Sequence, residues 1–225
     1  MRGFMQCPSR VDHPHQARHY PKKKTLRASE QDREDVQVQR EQWRVRMKEI
    51  EASRLVFVDE SGAKTNMTRL RGRAPRGQRV YDSAPHGHWH TTTMLSSMRL
   101  DGSTACMVVD GATDTDIFTA YVRNVLIPSL RQGDIVVMDN LAPHKSPAIF
   151  QAIQEVGAHL LYLPPYSPDL NPIEKMWSKM KEKLRALAAR TQQELLDAIA
   201  KALQSVTPSD AQGWFISCGY RYSQS

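Results

Sequence analysis

Residues 135–163, IVVMDNLAPHKSPAIFQAIQEVGAHLLYL, contain the pattern that decides the fold class. The stretch begins with the apolar run 135–138 and ends with the apolar-rich run 159–163, and both have the length of a strand. Between them, Ser146 and Pro147 are typical of the start of a helix, and Gly157 is typical of its end. A strand, a helix and a strand in so few residues predict a crossover that joins neighbouring parallel strands.

The segments upstream of this unit predict an antiparallel part of the same sheet. Asp101 and Gly102 are typical of a hairpin turn between two of these strands. Asp114 or Thr115 is predicted to cap a helix that stops near Pro128, before the parallel unit begins. The sum is an α/β fold with a mixed sheet and helices on its faces. The predicted strands are 55–58, 67–70, 91–98, 105–109, 135–138 and 159–163.

Helical periodicity predicts two further helices outside the sheet. Ser29 begins a pattern with an acidic first turn and a basic later half, which suits the helix dipole. Near the other end, Thr191 and Glu194 have the spacing of a capping box. The predicted organisation has four parts: a disordered or loosely packed leader at 1–28, an N-terminal helix and linker at 29–52, the main domain at 53–190, and a C-terminal helix and tail at 191–225.

Composition and charge narrow the function classes. The 225 residues are 40% hydrophobic and 24% charged, which is ordinary for a globular protein, and the apolar runs are too short to span a membrane. Three cysteines without metal-ligand spacing favour a reducing, cytoplasmic compartment. The net charge of +7 favours an anionic partner. Six basic residues fall in 64–79 and six in 175–190, so both segments suit a phosphate backbone, although two solvated surfaces would look the same.

Two aspartates directly follow apolar strands. Asp59 follows 55–58 and Asp139 follows 135–138, at the carboxyl ends where α/β sheets bind ligands. Neighbouring carboxylates repel each other unless a cation lies between them. Oxygen ligands without nearby nitrogen or sulfur donors favour Mg²⁺ or Mn²⁺. If the two strands are neighbours, the sequence predicts a divalent metal site there.

A third acid, Glu174, follows the proline-rich loop LPPYSPDLNP. With Asn171 as N-cap and Pro172 at the first helical position, Glu174 has the spacing of a capping box, which would need no chemistry. Helical phase also places Glu174 beside the apolar stripe, with Lys181 and Arg185 on the same flank. The alternative is therefore a glutamate that reaches a metal while the two cations bind phosphates.

Three segments together resemble a known family: VDES around Asp59, VVMDN around Asp139 and LPPYSPDLNPIEKMWSKMK around Glu174. Thirty-four residues separate the last two acids. Over about residues 25–187 the chain resembles the catalytic domain of DDE transposases, in the bacterial insertion-sequence branch of the mariner superfamily. The most specific element is the loop SPDLNPIE, at the spacing typical of the branch that ends in Glu.

The resemblance implies an RNase H-like fold, with a mixed five-stranded sheet flanked by helices. It implies that Asp59, Asp139 and Glu174 are catalytic and hold two Mg²⁺ or Mn²⁺ ions that activate the attacking oxygen and stabilise the leaving oxygen as DNA strands are cut and joined. Asn140, His144 and Lys145 match the family's second motif and are candidate DNA contacts, with a turn role for Asn140 equally open. The other candidate DNA contacts come from the basic segments: Lys64, Arg69, Arg71, Arg73, Lys181 and Arg185.

The resemblance also implies partners and leaves alternatives. Transposon ends, target DNA and a second copy of the chain are expected, in the bacterial cytoplasm with the nucleoid DNA. Residues 1–50 offer no room for the family's helix-turn-helix region, so a separate helix-turn-helix polypeptide is a further expected partner. The rival interpretation is a catalytically inactive DNA-binding remnant of a truncated or split transposase. A glycosidase with two carboxylates explains neither the third acid nor the basic helix.

One cluster of histidines and one cluster of aromatic residues suggest binding sites, but strand structure and packing explain them better. The histidines of HGHWH alternate, as the ligands of a transition metal on a strand would, but an ordinary strand entry is the favoured interpretation. Trp214, Phe215, Tyr220 and Tyr222 are expected to pack against the sheet rather than to stack on bases. Cys106 is expected in the core.

Overall fold

The computed structural model describes residues 28–69, 71–84 and 91–221. The predicted leader up to residue 27, the HGHWH histidines and Tyr222 lie outside these ranges, and the predicted domain boundaries stay predictions. Short 3₁₀ turns lie at Ser29–Asp32, Ala52–Arg54, Ala142–Lys145 and Pro168–Leu170. The strands are β1 Leu55–Lys64, β2 Thr91–Arg99, β3 Thr104–Asp110, β4 Ile135–Met138 and β5 His159–Tyr162. The helices are α1 Glu34–Lys48, α2 Thr115–Tyr121, α3 Pro147–Glu155, α4 Ile173–Leu187, α5 Gln192–Leu203 and α6 Pro208–Ser217.

The five strands form one mixed sheet in the order β3-β2-β1-β4-β5. Strands β1, β2 and β3 pair antiparallel, whereas β4 lies parallel to both β1 and β5. The meander and the parallel crossover predicted from the sequence are therefore both confirmed. Gly102 adopts φ +80 in the predicted hairpin turn, in the left-handed region that glycine tolerates.

Strand β1 is longer than the apolar run that predicted it. The expected strand ended before Asp59, but β1 continues to Lys64 because β2 pairs with it from Val56 to Lys64. Its parallel pairing with β4 stops at Phe57. Asp59 therefore lies within β1 and beyond the part that β4 covers.

The predicted strand at 67–70 is wrong for the residues that the structure describes. A turn closes after β1, where the backbone N–H of Met67 donates to the carbonyl of Lys64. Strand β2 begins at Thr91, opposite Lys64, so the residues beyond this turn face no strand of the described sheet. Residues 71–84 follow as an exposed segment without helix or strand.

Alternate residues of the central strands bury their side chains in two separate cores. Leu55 and Phe57 pack with Trp43 of α1 and with α4, α5 and α6, whereas Val56 and Val58 pack with α2 and α3. The sheet is thus the middle layer of three, as alternation along a strand predicts. Such a sandwich buries both faces of the sheet and leaves strand ends as the place for polar chemistry.

The C-terminal aromatic residues pack as predicted. Phe215 is buried and its ring meets Phe57 edge to face, with 5.3 Å between centroids. Tyr220 is buried beside the same ring at 5.0 Å. Trp214 is partly buried against this core. Cys106 departs from expectation, since it is only half-buried at β3.

Two predicted helix starts are confirmed, whereas the start predicted at Ser29 is not. Asp114 caps α2 by accepting the backbone N–H of Ile117 at 2.8 Å, and Thr191 with Glu194 forms the capping box of α5. The helix expected from Ser29 instead begins as a 3₁₀ turn, because Arg33 is extended and α1 starts at Glu34. None of the described helices is both long and apolar enough to cross a membrane.

Candidate active site

Two of the three predicted acids lie level with each other in the sheet. In the parallel register of β1 and β4, Phe57 is opposite Val137. Two residues further along each chain come Asp59 and Asp139, where the two strands have stopped pairing. Asp59 is buried, with 8% of its surface exposed, and Asp139 is half-buried. Neighbouring parallel strands therefore bring both carboxyl groups to one edge, as predicted.

The loop that precedes α4 places Glu174 near the ends of the parallel strands. The site loop, defined as residues 164–171, connects β5 to α4, and Glu174 is the second residue of α4. The alternative of a capping box does not hold, since Pro172 occupies the N-cap position and no side chain caps this start within the described chain. Asn171 instead points its amide nitrogen at Asp59 Oδ2, 3.5 Å away. The carboxylate of Glu174 therefore does not cap its own helix.

All three acids line one cavity of about 440 Å³. Tyr166 and Ser167 of the site loop also line it, as does Leu141 after β4. Side chains from three distant parts of the chain therefore converge on a single concave surface at the end of the parallel strands, which is where α/β folds bind their ligands.

Burial in this cavity and the neighbouring acids shift the pKa values of Asp59 and Glu174. Burial raises the pKa of Asp59 to about 7, helped by the negative charges of Glu174 and Asp139 and opposed by the backbone N–H of Glu60. Burial also raises the pKa of Glu174, which the Lys181 cation partly opposes. A cation between the carboxylates would relieve this repulsion.

Hard oxygen donors of this kind are the ligands that Mg²⁺ and Mn²⁺ prefer. The donor chemistry of Asp59, Asp139 and Glu174 thus fits a divalent ion. Their spacing is not yet that of a closed cage: within residues 28–69, 71–84 and 91–221, no three His, Cys, Asp or Glu side chains stand close enough to hold a metal as they are.

His144 is placed differently from its predicted role. Only 1% of its surface is exposed, and its ring packs on Phe118 with 4.1 Å between centroids. Its Nδ1 lies 2.6 Å from Asp139 Oδ1, and its carbonyl accepts the hydroxyl of Tyr162. A buried ring does not fit the predicted contact with DNA. The contacts instead hold Asp139 in one orientation, since buried partners of this kind fix a carboxylate.

The other candidate DNA contacts are accessible. Lys181 and Arg185 are half-buried and follow Glu174 along α4. The positive charge of Lys181 acts to lower the pKa of Glu174. The remaining candidates are exposed at the surface: Lys64, Arg69, Arg71, Arg73, Asn140 and Lys145. Their contact with DNA stays a prediction.

A family comparison identifies the domain. The profile described as "DDE superfamily endonuclease" matches residues 54–196, which contain all five strands and all three acids. The chain belongs to this DDE superfamily.

Two curated transposases are similar in sequence. The transposable element Tc1 transposase of Caenorhabditis elegans is 26% identical over 119 residues, covering 53% of this chain and 42% of that protein. The transposable element Tcb1 transposase of Caenorhabditis briggsae is 26% identical over 100 residues, covering 43% of this chain and 37% of that protein. Each match therefore spans less than half of the relative's length.

Solved structures of Mos1 complexes share the fold. The Mos1 transposase paired-end complex with left transposon end has a TM-score of 0.71 at 15% identity, covering 92% of this chain and 64% of that chain. The Mos1 strand transfer complex has a TM-score of 0.69 at 16% identity, covering 94% of this chain and 68% of that chain. The RNase H-like mixed sheet expected from the resemblance is thereby confirmed.

The sequence did not indicate every residue around the site. The local pattern of Asn171 indicates only a helix cap, and nothing in it indicates a position beside Asp59. Arg40 offers a clearer signal, since it falls in phase with the buried residues Val36 and Trp43 of α1. A charged residue inside an apolar helical stripe is a signal of a buried partner.

Proposed function

We propose that this chain is the catalytic domain of a transposase that cuts and joins DNA strands at transposon ends. The observation that carries the proposal is the convergence of Asp59, Asp139 and Glu174 on one cavity from three separate stretches of the chain. Membership of the DDE superfamily supports the same chemistry. The Tc1 and Tcb1 relatives are named as transposases.

Two Mg²⁺ or Mn²⁺ ions are the proposed cofactors, held by the same three acids. Bound there, the ions would supply an activated oxygen nucleophile and charge stabilisation for the leaving oxygen of a phosphodiester. Solved Mos1 paired-end complexes with Mn and with Mg support this choice of metal.

The protein's own groups prepare the cavity. His144 holds Asp139, and the backbone N–H of Glu60 donates to Asp59 Oδ1 at 2.8 Å, so both aspartates have a fixed orientation. Lys181 and Arg185 would bind the phosphates of the DNA strand beside Glu174, with Lys64 and the exposed arginines binding duplex further away. A second copy of the chain, a separate helix-turn-helix polypeptide, and membership of the bacterial insertion-sequence branch belong to the same proposal.

A DNA-binding remnant without activity is the second candidate. It is favoured by the open spacing of the acids in the described chain. Such a remnant would keep the basic surfaces and would bind DNA without cutting it.

Nicking of supercoiled plasmid in the presence of Mn²⁺ separates the two candidates. The transposase proposal expects nicked circles with the unaltered chain, none after chelation with EDTA, and none with Asp139→Asn, which should still retard DNA in a gel. Asp197→Asn, an exposed aspartate on α5, is the matched control and should nick normally. Equal residual nicking by the unaltered chain and Asp139→Asn would refute the proposal, and binding without nicking would establish the remnant.

A further inference from the structure

The site loop adopts a backbone conformation that needs external support. Tyr166, in its middle, has φ +54, in the left-handed region that residues with a side chain rarely adopt. Such conformations persist only where the surrounding structure holds them. The Tyr166 side chain does not supply this support by burial, since 46% of its surface is exposed.

Arg40 of α1 provides the largest part of the support. Its Nη1 donates to Ser167 Oγ at 2.7 Å and to Asp169 Oδ1 at 3.0 Å. Its Nη2 donates to Asp169 Oδ2 at 2.6 Å, which completes a two-pronged ion pair. Arg40 is buried, with 8% of its surface exposed, and these three hydrogen bonds all end on the site loop. A two-pronged arginine–carboxylate pair fixes orientation as well as distance.

Two further contacts reach the same loop. Gln31, which is also buried, donates to the carbonyl of Tyr166 itself. At the far end of the loop, Tyr220 donates its hydroxyl to the carbonyl of Leu170 at 2.6 Å, and it accepts the indole N–H of Trp43 at 3.1 Å. Successive points along the loop are therefore tied to α1 and its surroundings.

The residues that make these ties lie outside the segment that defines the family. The DDE profile covers 54–196, whereas Gln31, Arg40 and Trp43 precede it and Tyr220 follows it. The loop they hold forms one wall of the acidic cavity and leads directly into Glu174.

We propose that these four residues form a clamp that holds the site loop in the conformation that presents Glu174, with Arg40 as its main positioning residue. The proposal rests on the proposed function, because it assigns the clamp a role in metal binding by Glu174. A held loop lowers the entropy lost when Glu174 joins Asp59 and Asp139 around an ion. The rival explanation is that Arg40 contributes only to general stability.

Three variants of the whole chain separate these explanations. Arg40→Ala removes the clamp, and Arg40→Lys keeps the positive charge but not the planar pair of N–H donors. Arg46→Ala is the matched control, because Arg46 is an exposed arginine further along the same helix α1. Each is measured by amide hydrogen exchange resolved to peptides, by Mn²⁺ titration and by plasmid nicking.

The clamp predicts that Arg40→Ala raises exchange in peptides covering 164–171 while the sheet peptides keep their protection. It also predicts an Mn²⁺ affinity about tenfold weaker, at the lower end of what loss of a supporting residue costs a metal site. Arg40→Lys should fall between Arg40→Ala and the unaltered chain, and Arg46→Ala should change neither quantity.

Each contrary result has one meaning. Unchanged exchange of the site loop in Arg40→Ala would refute the clamp, as would an equal rise of exchange over the whole chain. A loosened loop with unchanged Mn²⁺ affinity and nicking would refute its positioning role. If the unaltered chain neither binds Mn²⁺ nor nicks DNA, the proposed function fails, and the exchange of 164–171 still decides whether the clamp exists.

Discussion

At the scale of single residues, the site depends on how Asp139 and Asp59 are held. Asp139 Oδ1 lies 2.6 Å from Nδ1 of His144, a short contact in which the imidazole can supply the N–H that the carboxyl oxygen accepts. Asp59 receives the backbone N–H of Glu60 and lies beside the amide of Asn171. The two acids therefore have different supports and should respond to different changes.

Replacement of His144 tests the support of Asp139. His144→Leu keeps an apolar group against Phe118 but removes the donor, so nicking should fall roughly 10- to 100-fold, as for other groups that orient a ligand. His144→Asn can place an amide donor near the position of Nδ1 and should lose less. His159→Leu alters an exposed histidine at the start of β5 and serves as control. Equal activity of His144→Leu and the unaltered chain would contradict the assignment.

The raised pKa of Asp59 predicts an unusual dependence of stability on pH. The folded-state pKa of about 7 exceeds the ordinary value of 3.8, so the protonated acid stabilises the metal-free fold. This contribution is complete below pH 3.8 and is lost as the pH rises through 7. At pH 8 in EDTA, the free energy of unfolding of Asp59→Asn in urea should therefore be larger by about 2–4 kcal/mol than that of the unaltered chain. The same variant should not nick DNA.

The comparison needs a second acid and a second pH. Glu60→Gln, on the neighbouring residue of β1, should not reproduce the gain. At pH 4 the advantage of Asp59→Asn should vanish, because Asp59 is then protonated in the folded protein. An advantage that is the same at both pH values would show that charge is not its cause.

At the scale of elements, local patterns predicted those features that depend on neighbours in the chain. Asp114 and the pair Thr191 and Glu194 cap their helices as expected, because a cap involves residues a few positions apart. The extension of β1 to Lys64 could not be predicted in this way, since it depends on pairing with β2. The position of Arg40 was likewise decided by a partner more than a hundred residues away.

The end of α4 offers a test of backbone strain in this basic helix. Ala188 ends the helix with φ 49, a left-handed conformation that glycine adopts without cost. Ala188→Gly should therefore raise the free energy of unfolding by about 0.5–1 kcal/mol in urea denaturation. Ala200→Gly, at an exposed position inside α5, is the control and should lower it by a similar amount. Destabilisation by both changes would contradict the strain at Ala188.

At the scale of the whole molecule, basic charge is concentrated in two segments next to elements that carry candidate acids. One segment follows β1, which contains Asp59, and is exposed, and the other runs along α4, which contains Glu174. The sequence indicates both segments from composition, but only the fold shows that Lys181 lies close enough to Glu174 for its charge to lower the pKa of that acid.

The salt dependence of DNA binding tests this arrangement. Replacing both Lys181 and Arg185 with alanine should weaken binding to all sequences alike and reduce the slope of log affinity against log salt by about two. Lys201→Ala with Arg131→Ala, exposed cations of α5 and of the turn before β4, should leave the slope unchanged. An equal slope in both double variants would remove α4 from the DNA contact.

The ties between α1, Tyr220 and the site loop have a practical consequence for anyone trimming this protein. A fragment cut at residues 54 and 196 would retain every strand and all three acids, so it would look complete by sequence. It would nevertheless lack the four side chains of the proposed clamp, which are Gln31, Arg40, Trp43 and Tyr220. Crystallisation or inhibitor screening should therefore start from a fragment that begins before Gln31 and extends past Tyr220.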